Sequence, residues 1–380
     1  MKVLINAIGI ANSGGAVVLK KLMLELLDAP KDHTFIFLVT KNSHVDALID
    51  RYKQVSQFSF ISFEFNNAFS RLLYENIRLR KFLIDNDISL VYNFSGSLQF
   101  FGTTPQLVKV HNLLFYCKKL DNFYKTNFSL ALWLKQIFFK RLVFRFMLAN
   151  SANLEVQSNH VATALSDFID IAKKNLFIKS DIDICSQSFS FPVRYDFGKK
   201  IKFLYIVGPH FEYPHKNIID FTLAMVELKK SNVDFEINIT LTRDQLNQSD
   251  GWDNSLNQNT NFHGYIHDAK DMDKLFCDNT ILVSTSIIET LGLHVIEAIK
   301  HGIVTITPNE DYAAEVYGTL RFVYDLFDPS SLSSAVRNIV SNEGTLSNVI
   351  LAQQQYLKEN EMTKFNNIID VFDDVLSRKS

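Results

Sequence analysis

Residues 284–302, STSIIETLGLHVIEAIKHG, carry the pattern that decides the fold of this chain. A buried-strand pattern ends at about Ser284 and is followed by a loop. The spacing of apolar residues then predicts a helix over Leu293–Lys300. Gly292 stands just before that helix and permits close backbone approach, and Gly302 closes it because glycine favours a left-handed helix terminus. The stretch is therefore a strand–loop–helix unit of the kind from which α/β sheets are built.

Similar units precede and follow this stretch. Strand-length apolar runs alternate with helical patterns through 380 residues, which is longer than one hydrophobic core usually supports. The pattern predicts a doubly wound α/β protein with one domain over residues 1–185, a linker over 186–200 and a second domain over 201–356. Residues 357–380 are predicted as a C-terminal helix, for which packing back on the first domain is one option. Ligands of such sheets bind at the carboxyl ends of the strands, so we expect a cleft between the domains.

The overall composition excludes several classes of protein. Lys and Arg number 39 against 41 Asp and Glu, so the balance gives no global electrostatic case for nucleic acid. The three cysteines, Cys117, Cys185 and Cys277, lie far apart and read as reduced thiols of a cytosolic protein rather than a disulfide frame or a zinc site. The first residues, MKVLINAIGIANSGG, form a strand pattern that enters a glycine pair and do not resemble a signal peptide. No stretch is apolar enough over a sufficient length to cross a bilayer.

The stretch 284–302 also contains two acids and the start of a helix. The first N–H groups of the helix and the positive end of its dipole form a suitable seat for a diphosphate. Glu297 lies further along the helix, where its carboxylate can accept paired hydrogen bonds from the hydroxyls of a ribose. Glu289 lies in the loop above the strand end, where it can reach a sugar hydroxyl. Two carboxylates at this spacing are by themselves more often solvated surface charges.

The string as a whole closely resembles the Glu-x7-Glu motif of the retaining, GT-B-fold glycosyltransferases of family four. Its serine, both glutamates, Gly292, Leu293, Ala298 and Gly302 stand where that family has them. The resemblance implies two Rossmann-like domains that face each other across a cleft, with the acceptor on the N-terminal side and the nucleotide sugar on the C-terminal side. It also implies a metal-independent transfer of a sugar from a nucleoside diphosphate. The donor contacts that it implies in this stretch are Thr290, Leu291, Gly292, Leu293 and Glu297.

A second part of the resemblance opens the predicted C-terminal domain. Gly208, followed by Lys216 and an asparagine, is similar to the family's strand–loop–Lys-Asn element, in which the lysine can neutralise the donor diphosphate. The family usually also has an arginine shortly after this glycine, and here the loop lacks it. His210 or Arg243 are the alternatives for that cation. Gly264 lies in a short strand segment that resembles the family's contact with the nucleobase.

In the predicted N-terminal domain, Gly14 and Gly15 follow the first strand and open a helix. The spacing is not that of a dinucleotide-binding GxGxxG, so a nicotinamide cofactor is not indicated. The resemblance implies that these glycines approach the donor diphosphate or the acceptor, whereas a plain tight turn explains the same residues. His111 follows another predicted strand, where the family similarly carries a histidine near the transferred sugar, and a structural histidine is the alternative.

Metal and cofactor sites receive no support from the sequence. Asp181 with Asp183 and Asp271 with Asp273 have the DxD spacing, but neither pair follows a clear apolar strand. We therefore expect no metal and no cofactor. The catalytic residues implied by the resemblance are His111, Glu289 and Lys216.

The implied function is transfer of a hexose-type sugar to a glycan or lipid-linked acceptor, in a setting such as bacterial surface polysaccharide (lipopolysaccharide O-antigen or capsule) synthesis. Two other functions stay open. The missing arginine is compatible with a non-catalytic subunit that binds a sugar nucleotide, and a sugar-nucleotide epimerase would share the architecture.

One helical segment bears on localisation. The predicted helix Leu130–Leu148 is rich in aromatic residues and contains four basic residues and no acid. Such a helix can lie on an anionic membrane surface, which would make a cytoplasmic protein peripheral to the inner membrane. The alternative is an ordinary helix packed on its sheet, because at 100° per residue Lys140 falls away from the other charges.

Overall fold

The computed structural model describes residues 1–10, 13–41, 43, 45–65, 67–100, 103–110, 112–181, 188–208, 214–249, 251–266, 268–359, 365 and 367–378. The strands are β1 Lys2–Asn6, β2 Thr34–Thr40, β3 Phe58–Phe63, β4 Leu90–Asn93, β5 Gln106–Lys109, β6 Asn153–Val156, β7 Asn175–Ile178, β8 Ile201–Tyr205, β9 Phe235–Ile239, β10 Thr260–Phe262, β11 Thr280–Val283, β12 Val304–Pro308 and β13 Phe322–Tyr324.

The α-helices are α1 Ser13–Leu26, α2 Asp46–Tyr52, α3 Ala68–Leu73, α4 Leu79–Asp85, α5 Lys118–Asn127, α6 Leu130–Trp133, α7 Phe139–Asn150, α8 Asn159–Ser166, α9 Ile218–Lys230, α10 Arg243–Asn247, α11 Ala269–Asp273, α12 Leu293–Lys300, α13 Asp311–Tyr317, α14 Pro329–Ser341, α15 Leu346–Glu359 and α16 Ile368–Ser377. One-turn π-helices, Tyr74–Arg78 and Leu134–Phe138, join α3 to α4 and α6 to α7.

The chain forms two compact units, each built on one parallel sheet. The first unit comprises residues 1–117, 125–182 and 361–380, and the second comprises residues 118–124 and 183–360. The first sheet has the strand order β3-β2-β1-β4-β5-β6-β7, and the second has the order β10-β9-β8-β11-β12-β13. The doubly wound α/β fold predicted from the sequence is therefore present twice.

Buried apolar strands account for the position of each core. The central strands are almost fully buried, as expected for parallel strands covered by helices on both faces. In the second unit the core includes Phe203, Ile281 and Ile306, which come from neighbouring strands of the sheet. Each sheet reverses its strand order once, between β1 and β4 in the first unit and between β8 and β11 in the second. These reversals are the positions at which doubly wound sheets bind ligands.

The structure differs from the predicted elements in three places. The predicted helix over 357–380 is instead the end of α15, which stops at Glu359, and the separate helix α16. The face of α16 that includes Ile368 and Phe372 is buried, which explains why it belongs to the first unit. The predicted helix Leu130–Leu148 is interrupted by its π-helical turn. Strands β3, β7 and β13 were not predicted; β7 and β13 are runs of four and three residues, which are too short to show a period.

A buried cluster of charges lies at the carboxyl ends of β5, β6 and β7. Lys109 forms ion pairs with Glu155 and, at 2.9 Å, with Asp181, and its side chain is only 1% exposed. Gln157 donates a further hydrogen bond to Asp181. Burial alone would lower the pKa of Lys109, but the two carboxylates outweigh burial and raise it. Asp181, one half of a DxD pair, is thus engaged by a lysine, while Asp183 lies outside the described residues.

We expect Lys109→Met to destabilise the first unit by about 3–5 kcal/mol, because it leaves Glu155 and Asp181 without their buried counter-ion. Trp133 is the only tryptophan of that unit and the chain has two, so urea unfolding followed by fluorescence in a Trp252→Phe background reports on it. The control is Lys53→Met, which removes an exposed ion pair to Asp50 and should cost less than about 1 kcal/mol. Equal effects of the two variants would contradict the role of the buried cluster.

Candidate functional site

The site is built at the reversal of the second sheet, where β8 and β11 lie side by side. The two strands pair in parallel, with Leu204 opposite Leu282, so the loops that follow them leave the same edge of the sheet. The loop after β8 leads to Lys216, and the loop after β11 carries Glu289. The two side chains form an ion pair, and both are largely shielded from solvent.

Hydrogen bonds fix the backbone that carries Lys216. The Tyr205 hydroxyl donates to the Lys216 carbonyl at 2.7 Å. The Thr285 hydroxyl lies within hydrogen-bond distance of the same carbonyl (2.8 Å) and of the Asn217 carbonyl (2.9 Å). The N–H of Ile287 donates to the His215 carbonyl at 2.8 Å. The two loops are therefore held together by one backbone hydrogen bond and by the Thr285 side chain, and these contacts bring the backbones that carry Lys216 and Glu289 close to each other.

Asn217 holds the turn between Lys216 and the helix that follows. It adopts a left-handed conformation with φ of 50°, which asparagine tolerates better than most residues. Its side-chain amide donates to the Asp220 carboxylate at 2.6 Å, and that carboxylate also accepts the N–H of Phe327 at 2.8 Å. An asparagine after the lysine thus has a structural reason, since it turns the chain into α9 immediately after Lys216.

Gly292 forms the start of α12 and has room for no side chain. Its φ is 57°, and a Cβ built on it would lie 1.8 Å from the Tyr317 hydroxyl. In the part of the chain that the structure describes, the N–H groups of Leu293 and His294 donate to no acceptor. Two such donors and the positive end of a helix dipole are suited to an anion, which would lie beside Glu289.

His294 anchors the start of α12 to the sheet. Its Nε2 lies 3.0 Å from the Ser284 hydroxyl at the end of β11. Burial, with a smaller contribution from Lys216, lowers the pKa of His294 to about 4. The imidazole is therefore neutral at pH 7 and acts as a hydrogen-bonding anchor rather than as a charge.

The electrostatics keep Glu289 ionised. Its burial would raise the pKa of the carboxyl, but Lys216 outweighs burial and lowers it to about 2, with His294 and His215 adding to the effect only at the acid pH where they are protonated. At neutral pH the site therefore holds a carboxylate and an ammonium group in contact. Such a pair can accept hydrogen bonds from a hydroxyl and at the same time offer a positive charge to a phosphate.

Comparison with known proteins gives a family match for the second unit. Residues 198–360 match the model of the family described as glycosyl transferases group 1. The match covers most of the second unit. No protein of curated function matches the chain significantly.

Solved structures with low sequence identity share the fold of this chain over nearly its whole length. Sucrose-phosphate synthase from Thermosynechococcus elongatus aligns with a TM-score of 0.67 at 14% identity, covering 100% of this chain and 98% of that one. HepE from Anabaena, in complex with UDP-glucose, aligns with a TM-score of 0.64 at 11% identity, covering 100% and 99%. WaaG, a glycosyltransferase involved in lipopolysaccharide biosynthesis, aligns with a TM-score of 0.64 at 10% identity, covering 99% and 100%. The GT-B fold implied by the sequence resemblance is confirmed.

The structure brings several of the predicted donor-site residues together at this edge of the second sheet. Lys216, Glu289 and Gly292 lie in one cluster, with Thr290 half-buried and Leu291 buried in the loop between them. Leu293 and Glu297 lie on α12, and Glu297 is exposed.

The remaining predicted residues of this unit lie around the cluster. Gly208 follows β8 directly, and Gly264 follows β10 with φ of 67°. Arg243 starts α10 after β9 and stacks on the Phe262 ring at 5.1 Å. His210, the other alternative for the missing cation, lies outside the described residues.

Of the residues predicted in the first unit, Gly14 and Gly15 are described, and they follow β1, one of the two strands at the reversal of the first sheet. Gly14 and Gly15 lie in the first turn of α1, directly after β1. His111 lies outside the described residues, after β5. The nearby side chain of Arg71 lies against Gly9 and donates at 3.0 Å to Glu75, which is buried.

Tyr317 and His294 are part of the site, and the sequence did not predict them. Tyr317 is contributed by α13, and its hydroxyl is buried against Gly292 with no hydrogen-bond partner among the described residues. Burial, with the Glu289 carboxylate adding to it, raises the pKa of this phenol. Nothing in the spacing along the chain signals this contact, because it depends on how α13 packs beside α12. His294 could have been found from its place in the first turn of the predicted helix.

We expect Gly292→Ala to destabilise the second unit by roughly 2–3 kcal/mol, because alanine is strained at this φ and meets the Tyr317 hydroxyl. Adding Tyr317→Phe removes that hydroxyl and should restore part of the loss. Urea unfolding of the Trp133→Phe protein, followed through Trp252, measures both. Gly344→Ala is the control, because a Cβ there meets nothing within 4 Å. Full stability of Gly292→Ala, or no rescue by Tyr317→Phe, would contradict the close packing described for Gly292.

Proposed function

We propose that the chain is a retaining glycosyltransferase that takes a hexose-type sugar from a nucleoside diphosphate sugar. One observation carries the proposal above all: the Lys216–Glu289 ion pair lies beside the open start of α12, at the strand reversal of a group 1 unit. The site therefore combines a cation, two free backbone donors and a carboxylate. This combination suits a diphosphate attached to a sugar.

Each group has a distinct part in the proposed reaction. Lys216 and the N–H groups at the start of α12 hold the diphosphate and stabilise the negative charge that grows on it as the glycosidic bond breaks. Glu289 stays ionised and accepts a hydrogen bond from a hydroxyl of the transferred sugar. The bond to the acceptor hydroxyl forms while the nucleoside diphosphate leaves, so charge stabilisation of the leaving group is the main contribution of these residues.

We assign recognition of the nucleoside to residues at the same edge of the second sheet that lie further from the ion pair. Glu297 is exposed on α12 beyond the diphosphate seat, where its carboxylate suits the two hydroxyls of a ribose. Gly264 is left-handed after β10, and its backbone suits a nucleobase. HepE, which shares the fold, binds UDP-glucose, so UDP-glucose is the first donor to test.

The acceptor half of the reaction belongs to the proposal as well. We assign His111 to the transferred sugar, and Gly14 and Gly15 to the approach of the donor or acceptor, as the family resemblance implies. The proposed acceptor is a glycan or lipid-linked glycan of a bacterial surface polysaccharide, and the proposed reaction uses no metal. The fold that the chain shares with WaaG, a protein of lipopolysaccharide biosynthesis, supports this setting.

We expect Lys216→Met to lower donor affinity by about 10- to 100-fold, since it removes the positive charge that faces the diphosphate. The measurement is the rise in melting temperature with UDP-, GDP- and ADP-glucose, because a ligand bound only by the folded chain must stabilise it. Lys274→Met is the matched control, as it removes an exposed ion pair to Asp271 in the same unit. Glu297→Gln should weaken binding by about tenfold through the ribose.

Product analysis separates the competing functions. The proposed enzyme releases nucleoside diphosphate and forms a product with the donor's anomeric configuration. Binding of a donor without turnover on any acceptor would favour a non-catalytic subunit. Conversion of the donor to an isomeric sugar without an acceptor would favour an epimerase. If no nucleotide sugar stabilises the chain and Lys216→Met changes nothing, the donor site itself is refuted.

A further inference from the structure

The helix α7 in the first unit presents an apolar face to solvent. Phe139, Leu142, Val143 and Phe146 are each between 49% and 60% exposed. Their spacing of three, four and seven residues places them on one side of a helix. Met147 and Leu148 are buried on another side, so α7 packs on its unit with one apolar face and leaves a second one exposed. Large side chains exposed in a row are unusual for a protein surface in contact with water only.

A second exposed apolar row lies on the helical segment 68–85. Leu73, Ile77 and Ile84 are 43%, 65% and 62% exposed. Leu79 and Leu83, between them, are buried in the core against the first sheet. This segment therefore repeats the arrangement of α7, with one apolar side on the sheet and one facing out.

The topology places both rows on the same side of the first unit. The connection from β3 to β4 and the connection from β5 to β6 run in the same direction along the parallel sheet. Right-handed crossovers then put the helices of both connections on the same face of the sheet. Phe100 joins them directly, because its N–H donates to the Asn76 side chain at 2.8 Å and its ring lies 5.4 Å from that of Phe146.

Basic side chains surround the two rows. The exposed ones are Arg78, Arg80, Lys81, Lys135, Lys140 and Arg145. Among the described residues none of these six forms an ion pair, and residues 128–150 contain no acid. Arg141, by contrast, is half-buried and turns to the Phe168 ring. On α7, at 100° per residue, Lys140 and Arg145 lie on opposite flanks of the exposed apolar face.

We propose that this apolar–basic face, formed by the exposed residues of segments 73–84 and 135–146, docks on the surface of an anionic lipid bilayer. The apolar side chains enter the region between headgroups and acyl chains, and the basic ones meet lipid phosphates. The positive charge favours an anionic bilayer over a second copy of the chain. Two copies that met through this face would bring their unpaired basic groups together, and these groups would repel each other. No described helix is long and apolar enough to cross a bilayer.

The position of α7 relates the proposed docking to the ligand-binding edge of the first sheet. The helix leads into β6, which is parallel to its neighbours, so α7 runs back from the carboxyl ends of the strands to their amino ends. The amino end of α7 therefore lies at the edge of the first sheet where ligands of such sheets bind. A lipid-linked substrate held in the bilayer would meet the first unit at that edge.

Co-sedimentation of the full chain with vesicles tests the docking. We expect binding to vesicles that contain phosphatidylglycerol, weaker binding as salt is raised, and little binding to pure phosphatidylcholine. Lys140→Glu with Arg145→Glu, and separately Val143→Asp with Phe146→Asp, should each lower the partition coefficient at least about tenfold. The control is Leu320→Asp, which changes an equally exposed apolar residue of the second unit and should have no effect.

The replaced side chains are exposed, so each variant should melt within about 2 °C of the wild type. Stabilisation by nucleotide sugar should also be unchanged in them, which separates this proposal from that of the donor site. Equal binding to both lipids, or no binding to the anionic vesicles at low salt, would overturn the docking. A drop in molecular mass of Val143→Asp with Phe146→Asp, without loss of vesicle binding, would assign the face to contact between copies instead.

Discussion

The ion pair between Lys216 and Glu289 is the interaction on which the candidate site depends. Each charge is largely removed from water, and neither would be stable there without the other. The pair can form only because β8 and β11 are parallel neighbours whose following loops leave the same edge of the sheet. These two loops are held side by side at the edge of the sheet by the buried strands, by the turn at Asn217 and by the hydrogen bonds of Tyr205 and Thr285.

A diphosphate fits such a pair for a simple electrostatic reason. Among the described residues Lys216 pairs with one carboxylate, that of Glu289, and the start of α12 adds partial positive charge. The positive charge of Lys216 and the helix dipole together therefore exceeds the negative charge of Glu289, and a diphosphate is attracted to the site. Gly292 lets the backbone present its donors, and the Tyr317 hydroxyl occupies the space that any larger residue would need. The glycine is thus required twice, by its left-handed φ and by its neighbour.

Local sequence signals were sufficient for part of this arrangement. The helix Leu293–Lys300 and its glycine were predicted because apolar spacing and a glycine before a helix act within a few residues. The two-sheet α/β fold followed from the alternation of strand and helix patterns over the whole chain. Lys216 and Glu289 were both proposed, but their contact was not, since it depends on strand order.

Other features depend on packing between distant segments and were missed for that reason. Tyr317 reaches Gly292 only through the position of α13, and strand β7 is too short to show a period. The chain end was predicted as one helix because residues 357–380 have helical composition throughout. The buried face of α16 places it on the first unit, and no local pattern in the sequence shows which sheet such a helix will cover.

Amide hydrogen exchange would test the central claim, that a nucleoside diphosphate sugar binds between Lys216 and the start of α12. The donor to use is whichever of UDP-, GDP- and ADP-glucose raises the melting temperature most. The arrangement predicts slower exchange at the amides of Gly292–Val295 and of residues 214–217 when the donor is present. Two results would contradict it. One is unchanged exchange in both segments while exchange slows elsewhere, and the other is no slowing of exchange anywhere with any of the three donors.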